Sequence, residues 1–169
     1  MQIVELTTLD EVRGLEGLLA DYIRHISISL KDYAGLTFDE AGLMASTLRG
    51  LAKVIPPNGR TFVAEDDRGE RIGMIFLRQS GPDAMEIKRL YVTPDARGTG
   101  AGRALVQKCL DAASEAGATA LRLDTAKSLT AAIGLYEALG FEYRDPYAES
   151  DHAEDTDLLP YLVFMEKAL

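Results

Sequence analysis

The chain has 169 residues, 47% of them hydrophobic, which suffices for one buried core and predicts a single domain over residues 1–169. Its formal net charge of −9 disfavours nucleic acid as a partner, because a phosphate backbone would be repelled. No stretch reaches the roughly 20 apolar residues of a membrane helix, and the first residues lack the features of a signal peptide, so we expect a cytoplasmic protein.

The first half of the chain predicts a strand, two helices and an antiparallel meander. A strand over Gln2–Leu6 precedes one helix whose apolar positions run from Val12 to Ile26. A second helix is expected to start near Phe38 or Asp39 and to end before the Pro56-Pro57 pair. Three extended segments follow, separated by turn-prone sequences, at 61–65, 71–78 and 84–92.

The hydrophobic period changes after Pro94. A helix with an apolar face that includes Cys109 ends at Gly117 and leads into a strand over 120–124. Another helix carries Tyr136 and ends at Gly140. Two last strands, near 141–143 and 161–166, are joined by an acidic loop. The element order therefore predicts an α/β protein that combines an antiparallel meander with a β-loop-α-β unit.

A glycine-rich turn opens the helix that follows Pro94. It reads Arg97-Gly98-Thr99-Gly100-Ala101-Gly102, and Arg103 comes next. The first N–H groups of a helix have no partner inside the helix, and glycines let an anion approach them. The helix dipole and the two flanking arginines add positive charge. The turn therefore predicts a pyrophosphate site, and the alternative is a merely flexible turn.

Two other phosphate motifs fit this turn poorly. A P-loop would require Gly-Lys-Ser or Gly-Lys-Thr, and the chain contains neither. The dinucleotide fingerprint would require a third glycine where Arg103 stands, although Asp124 lies about twenty residues further on, as that fingerprint expects. A dinucleotide-binding fold therefore stays a distant alternative.

Two motifs in the second half of the chain resemble the GNAT acetyltransferase superfamily. The stretch 87–105 matches the family's Arg/Gln-x-x-Gly-x-Gly/Ala core through Arg97, Gly100 and Gly102. The stretch 132–141, Ala-Ile-Gly-Leu-Tyr-Glu-Ala-Leu-Gly-Phe, is similar to the family's helix-to-strand motif. The resemblance covers roughly residues 85–143. It implies the acyl-CoA N-acyltransferase fold, in which a mixed, mostly antiparallel sheet flanked by helices splays open beside the fourth strand.

The resemblance also implies how acetyl-CoA is bound. The cofactor would lie in the gap of the sheet, and its pantetheine would contact backbone groups of Leu90, Tyr91 and Val92. The Val92 N–H would polarise the thioester carbonyl as an oxyanion develops. Tyr136 matches the family tyrosine that faces the cofactor sulfur, where a phenol can protonate a departing thiolate. The alternative for Tyr136 is a packing role. Leu129 stands where many relatives have an asparagine that contacts the cofactor.

The amine must lose a proton before it attacks, and Glu86 is our first candidate for the base. Strand alternation would place Glu86 on the same face as Leu90 and Val92. Other side chains that could accept the proton are Asp124, Glu65, His25 and His152. The two histidines show no metal-ligand spacing, so we expect no metal.

The acidic loop is where the resemblance puts part of the acceptor site. Its polar residues are Tyr147, Asp151, His152, Glu154, Asp155 and Asp157. Carboxylates in a cleft would suit a cationic amine. The resemblance also implies pairing of the last strands in a homodimer. We therefore expect an N-acetyltransferase that acts on a small molecule or peptide by direct attack through a tetrahedral intermediate. The alternative is an acyl-CoA-binding regulatory domain without turnover.

Overall fold

Strands and helices follow one another in nearly the predicted order in the computed structural model, which describes residues 1–169. The elements are β1 (Gln2–Leu6), α1 (Leu9–Arg13), α2 (Glu16–Ala34), α3 (Glu40–Arg49), β2 (Gly59–Glu65), β3 (Arg71–Gln79), β4 (Ala84–Val92), α4 (Ala101–Glu115), β5 (Ala120–Ala126), α5 (Thr130–Ala138), β6 (Glu142–Arg144) and β7 (Leu162–Ala168). Short 3-10 turns lie at Leu51–Lys53, Pro94–Ala96 and Leu159–Tyr161.

The seven strands form one mixed sheet in the order β1-β2-β3-β4-β5-β7-β6. Only β4 and β5 run parallel, and every other neighbouring pair is antiparallel. The predicted mixed sheet is confirmed. A doubly wound dinucleotide fold is excluded, because it requires a mostly parallel sheet. None of the helices has the length and apolar character needed to cross a bilayer.

The sheet opens between its two parallel strands. Pairing of β4 with β5 begins at Ala84 and stops at Ile87, which lies opposite Leu123. Beyond that point β4 continues to Val92 and β5 continues to Ala126, but the two strands no longer pair with each other. The edges of the two strands that face each other are therefore free of backbone partners over their last residues. The splayed sheet implied by the family resemblance is present.

A β-bulge in β4 overturns the predicted strand faces. Arg89 has a φ of 57°, and the register with β3 shifts at this level. Because the bulge adds one residue, Leu90 and Val92 pack with Ile87 against the α4 core, whereas Tyr91 belongs to the opposite core. Glu86 therefore does not share a face with Leu90 and Val92, and the strict alternation expected from the sequence was wrong.

Helices cover both faces of the sheet. On one face, α4 and α5 enclose a core whose central residues Leu105, Val106 and Cys109 are fully buried. On the other face, α1, α2 and α3 bury Val12 and Leu19. Burial of one such leucine stabilises the fold by about 1.5–3 kcal/mol. The two layers fix the position of β4, which lies at the centre of the sheet.

The N-terminal helical region differs from the prediction of a single helix. It breaks at Gly14, where α1 ends, and α2 begins at Glu16. Glycine has low helix propensity, which is consistent with the break, and Val12 and Leu15 are buried on either side of it. The predicted start of the next helix is confirmed, since the Asp39 side chain accepts a hydrogen bond from the Gly42 N–H and caps α3.

Candidate active site

The glycine-rich loop joins the end of β4 to α4. Gly98 and Gly100 have φ angles of 81° and 91°, a left-handed conformation that favours glycine. Thr99 closes the turn by donating from its N–H and its hydroxyl to the Ala96 carbonyl. A Cβ at Gly100 would meet nothing within 4 Å, so the loop is open to a ligand on that side.

The first amides of α4 are available to an anion. The earliest helical hydrogen bond runs from the Ala104 N–H to the Gly100 carbonyl. The three preceding N–H groups, of Ala101, Gly102 and Arg103, therefore have no partner inside the helix. Both flanking arginines are exposed, and Arg97 Nε donates to the Val92 carbonyl at 3.3 Å. This geometry fits a pyrophosphate, because donors and positive charge converge on an open surface.

The loop, the end of β4 and helix α5 come close together. A Cβ at Gly102 would lie 3.4 Å from Leu135 and 3.7 Å from Val92. Leu135 is the neighbour of Tyr136 on α5. The residues that the sequence assigned to the phosphates, the thioester and the sulfur are thus on three adjoining elements.

The direction of the Val92 amide follows from the strand pairing. Thr93 N–H donates to the Ile72 carbonyl, towards β3. Backbone groups of consecutive strand residues point to opposite edges, so Val92 directs its N–H and carbonyl away from β3. That edge of β4 has no partner, because pairing with β5 ended at Ile87. The Val92 N–H is therefore directed into the gap of the sheet.

A narrow cavity of about 70 Å³, here called the central cavity, lies where β4 and β5 separate. Its lining includes Ile26, Leu90, Asp124, Ala126, Leu129 and Tyr136. Tyr136 is buried and packs edge-on against Phe141, with ring centroids 5.6 Å apart. Burial raises the pKa of the Tyr136 phenol, which keeps the phenol protonated at neutral pH. A protonated hydroxyl is what a proton donor requires.

A second and more open cavity of about 340 Å³, here called the polar cavity, lies between α3 and the middle of the acidic loop. Its lining includes Thr47, Phe76, Arg78, Lys88, Asp151 and Asp155. Leu43, Arg89 and His152 line both cavities. The two spaces therefore meet at these three side chains.

Glu86 lies at the centre of a buried ionic network. Its side chain is 0% exposed and lines neither cavity. Tyr147 donates to one carboxylate oxygen at 2.6 Å, and Arg78 donates to the other at 2.7 Å. Lys88 Nζ lies 2.9 Å from the first oxygen. Because its oxygens already have these partners, the role of Glu86 as the base remains a prediction that its surroundings do not favour.

Lys88 connects this network to β5. Its Nζ lies 2.7 Å from Asp124 Oδ2, which also accepts a hydrogen bond from Ser150 at 2.9 Å. Burial alone would lower the pKa of Lys88, but the carboxylates of Asp124 and Glu86 outweigh burial and raise it. Burial would likewise raise the pKa of Asp124, yet the charge of Lys88 lowers it. Both groups are therefore charged near neutral pH.

The remaining candidate bases differ in their positions. His152 lines both cavities, and its Nδ1 lies 4.0 Å from Asp155 Oδ2. His25 packs beside Tyr91, with ring centroids 6.3 Å apart, and burial together with the charge of Arg97 lowers its pKa. Glu65 lines neither cavity. His152 is thus the histidine at the junction of the two cavities.

The carboxylates of the acidic loop fall into two groups, because some form ion pairs and others are exposed. Asp151 forms an ion pair with Arg78 at 3.0 Å, and Glu149 lies 3.7 Å from Arg122. Glu154 and Asp157 are exposed. Since Asp151 already neutralises an arginine, the loop offers fewer free carboxylates to a cationic ligand than its sequence implied.

Several residues at the cavities carry no sequence motif. Arg78, Lys88 and Arg89 are distributed over two strands, and Thr47 contributes from α3. Alternation would have placed Lys88 and Arg89 on opposite faces of β4, and only the bulge directs both to the polar cavity. No local sequence signal identifies this bulge, because Arg89 is not a glycine.

A splayed mixed sheet with a glycine-rich loop at the N-terminus of α4 defines the acyl-CoA N-acyltransferase fold. Residues 29–141 match the acetyltransferase (GNAT) family. An uncharacterized N-acetyltransferase of Escherichia coli (strain K12) is 32% identical over 131 residues, which is 75% of this chain and 76% of that protein. The chain belongs to the acetyltransferase (GNAT) family.

Another relative and a solved structure agree with this membership. An uncharacterized N-acetyltransferase of Schizosaccharomyces pombe is 36% identical over 98 residues, 57% of this chain, and the match spans 60% of that relative's length. A protein from Salmonella typhimurium, solved with its cofactor acetyl-CoA, superposes with a TM-score of 0.66 over 100% of this chain and 94% of the other. At 19% sequence identity this likeness shows the shared fold.

Proposed function

We propose that the chain is an N-acetyltransferase that moves the acetyl group of acetyl-CoA to a primary amine. The main support for this proposal is structural. The unpaired edge of β4, the open glycine loop and Tyr136 meet around one gap in the sheet. The Salmonella protein of the same fold was solved with acetyl-CoA, which supports the choice of cofactor. Arg97, Gly98, Thr99, Gly100, Ala101, Gly102 and Arg103 would hold the pyrophosphate, and the backbone of Leu90, Tyr91 and Val92 would hold the pantetheine.

The polar cavity would admit the amine from the side of α3. Nitrogen attacks the thioester carbon, a C–N bond forms, and the carbonyl oxygen becomes an oxyanion. The Val92 N–H donates a hydrogen bond to this oxyanion, and one such donor is worth about 3–4 kcal/mol in a preorganised site. When the tetrahedral intermediate collapses, the C–S bond breaks and the Tyr136 hydroxyl gives its proton to the thiolate.

His152 is the base that we propose for the amine. It lines both cavities, whereas the carboxylate of Glu86 is enclosed by Tyr147 and two cations. Histidine is the side chain used most often as a general base, and the Nδ1 of His152 lies 4.0 Å from Asp155 Oδ2. Glu86 then has a different task in the proposal, which is to hold Lys88 and the acidic loop in place.

Thiol release tests the proposed function. The protein is mixed with acetyl-CoA and a panel of primary amines that includes amino acids, polyamines, aminoglycosides and N-terminal peptides, and free CoA is measured with a thiol reagent. We expect at least one amine to accelerate CoA release well above hydrolysis. Tight binding of acetyl-CoA without release for any amine would contradict the proposal and would favour a regulatory domain.

A further inference from the structure

Arg89 is a half-buried cation of the polar cavity that pairs with no carboxylate. The neighbouring cations are satisfied, because Arg78 contacts Glu86 and Asp151 while Lys88 contacts Glu86 and Asp124. Arg89 has no carboxylate oxygen within 4.0 Å. The charge of Asp151 acts on Arg89 from beyond that distance. A guanidinium that is partly removed from water and has no carboxylate in direct contact favours an anionic ligand.

The guanidinium of Arg89 is held in one orientation. Its Nε donates to the Thr47 hydroxyl at 3.2 Å, and Thr47 is buried. Its central carbon lies 5.8 Å from the centroid of the Tyr22 ring, within the range of a cation–π contact. These contacts engage Nε and one face of the group. Its two terminal nitrogens keep their N–H donors, and such a planar fork matches the two oxygens of a carboxylate.

The backbone at Arg89 is unusual for a residue with a side chain. Its φ of 57° is the only positive φ outside glycine in the chain. A left-handed conformation costs a non-glycine residue about 1–2 kcal/mol, and glycine would avoid that cost. The strain brings the guanidinium to the junction of the two cavities, beside Leu43 and His152. Such strain at a residue other than glycine is consistent with a role for its side chain.

We propose that Arg89 binds a carboxylate of the acceptor, so that the acceptor is an amino acid. This inference rests on the proposed function, because it assigns the substrate class of the same site. A carboxylate held by Arg89 would place the amine of the same molecule near His152 and the gap between β4 and β5. The expected cationic amine fits less well, because Asp151 already forms an ion pair with Arg78.

The experiment compares acceptors that differ only in the carboxylate. Free amino acids and their carboxamides are assayed by thiol release with wild-type protein at saturating acetyl-CoA. We expect the best acceptor to be an amino acid whose kcat/KM exceeds that of its own amide by at least about tenfold. Equal rates for acids and amides would overturn the inference and leave the proposed function intact. Release by no amine at all would overturn the proposed function itself.

Variants then test whether Arg89 is the residue responsible. Arg89→Gln should raise KM for the amino acid and reduce the preference for acid over amide to less than about threefold, while Arg89→Lys should keep part of the preference. Lys53→Gln removes an exposed charge at the same cavity and should leave the preference unchanged. Thermal unfolding and the Kd for acetyl-CoA verify that each variant is folded. An acid preference that persists in folded Arg89→Gln would contradict the assignment.

Discussion

Lys88 Nζ lies 2.7 Å from Asp124 Oδ2 and connects β4 to β5 one residue beyond their last backbone pair. The backbone hydrogen bonds between β4 and β5 end at Ile87 and Leu123, so this side-chain ion pair lies where the gap between the strands begins. Both side chains are almost fully buried, with 7% and 8% exposed. The ion pair therefore lies where the two strands begin to separate, and in the proposed function that separation would make room for the thioester.

Removing the charge of Asp124 should destabilise the fold. A buried charge that loses its partner costs about 3–5 kcal/mol, and Asp124→Asn should cost somewhat less, about 2–4 kcal/mol, because Lys88 keeps Glu86 as a neighbour. Urea unfolding monitored by circular dichroism measures this loss. The exposed Asp83→Asn is the matched control and should change the free energy of unfolding by less than about 0.5 kcal/mol. A loss in Asp124→Asn no larger than in the control would show that the ion pair with Lys88 does not stabilise the fold.

The same pair predicts a pH dependence. The folded pKa of Asp124 lies below its usual value near 3.8, so its contribution is complete above that value and is lost as the pH falls through the lower folded pKa. Lys88 has a raised pKa, and its contribution is lost only at strongly alkaline pH. The stability difference between wild type and Asp124→Asn should be constant from about pH 5 to pH 9 and shrink below about pH 4. A difference that stays constant down to pH 2 would disprove the linkage.

Two substitutions at Gly100 should distinguish the effect of a negative charge on acetyl-CoA binding from the effect of backbone strain. Gly100→Asp and Gly100→Asn both place a side chain in a left-handed position that is open to solvent, so the strain is shared. Only the aspartate repels a pyrophosphate. Calorimetry should show acetyl-CoA binding at least about tenfold weaker in Gly100→Asp than in Gly100→Asn, or about 1.4 kcal/mol. Equal affinities in the two folded variants would remove the loop from the cofactor site.

The base is tested by comparing two histidines and one carboxylate. His152→Gln should lower kcat/KM by about a hundredfold or more at neutral pH, since a positioned base contributes at least that factor, with the Kd for acetyl-CoA changed by less than about threefold. His25→Gln is the control for the loss of a histidine beside β4. The opposite result would be that Glu86→Gln abolishes turnover, although it folds and binds acetyl-CoA, while His152→Gln does not. In that case Glu86, the base predicted from the sequence, would replace His152.

Most of the fold could be predicted, because the spacing of apolar residues within each helix and strand is a local property of the sequence. The apolar face around Leu105 and Cys109 predicted α4, and the turn sequences between the strands predicted the meander. The break at Gly14 was missed because the apolar pattern continues across it. The glycine loop was visible in sequence since it requires residues that tolerate a positive φ.

The polar cavity could not be predicted, because it depends on contacts between distant elements. The bulge at Arg89 changes which face each later residue of β4 occupies, and nothing in the local sequence signals it. Glu86 looked accessible on a regular strand, yet Tyr147 reaches it from 61 residues away and encloses it. Ion pairing of this kind is decided by tertiary packing rather than by residue spacing.

In the proposed reaction, acetyl transfer occurs in the gap between β4 and β5, and Tyr136 gives its proton to the CoA sulfur. Tyr136→Phe removes only the hydroxyl and leaves the ring in its edge-on contact with Phe141. The decisive measurement is the single-turnover rate of acetyl transfer in wild type and Tyr136→Phe, which is insensitive to slow product release. We predict a rate about a hundredfold lower in the variant, with acetyl-CoA affinity within about threefold. A wild-type rate in Tyr136→Phe would contradict the role of Tyr136 as the proton donor and leave it as a packing residue.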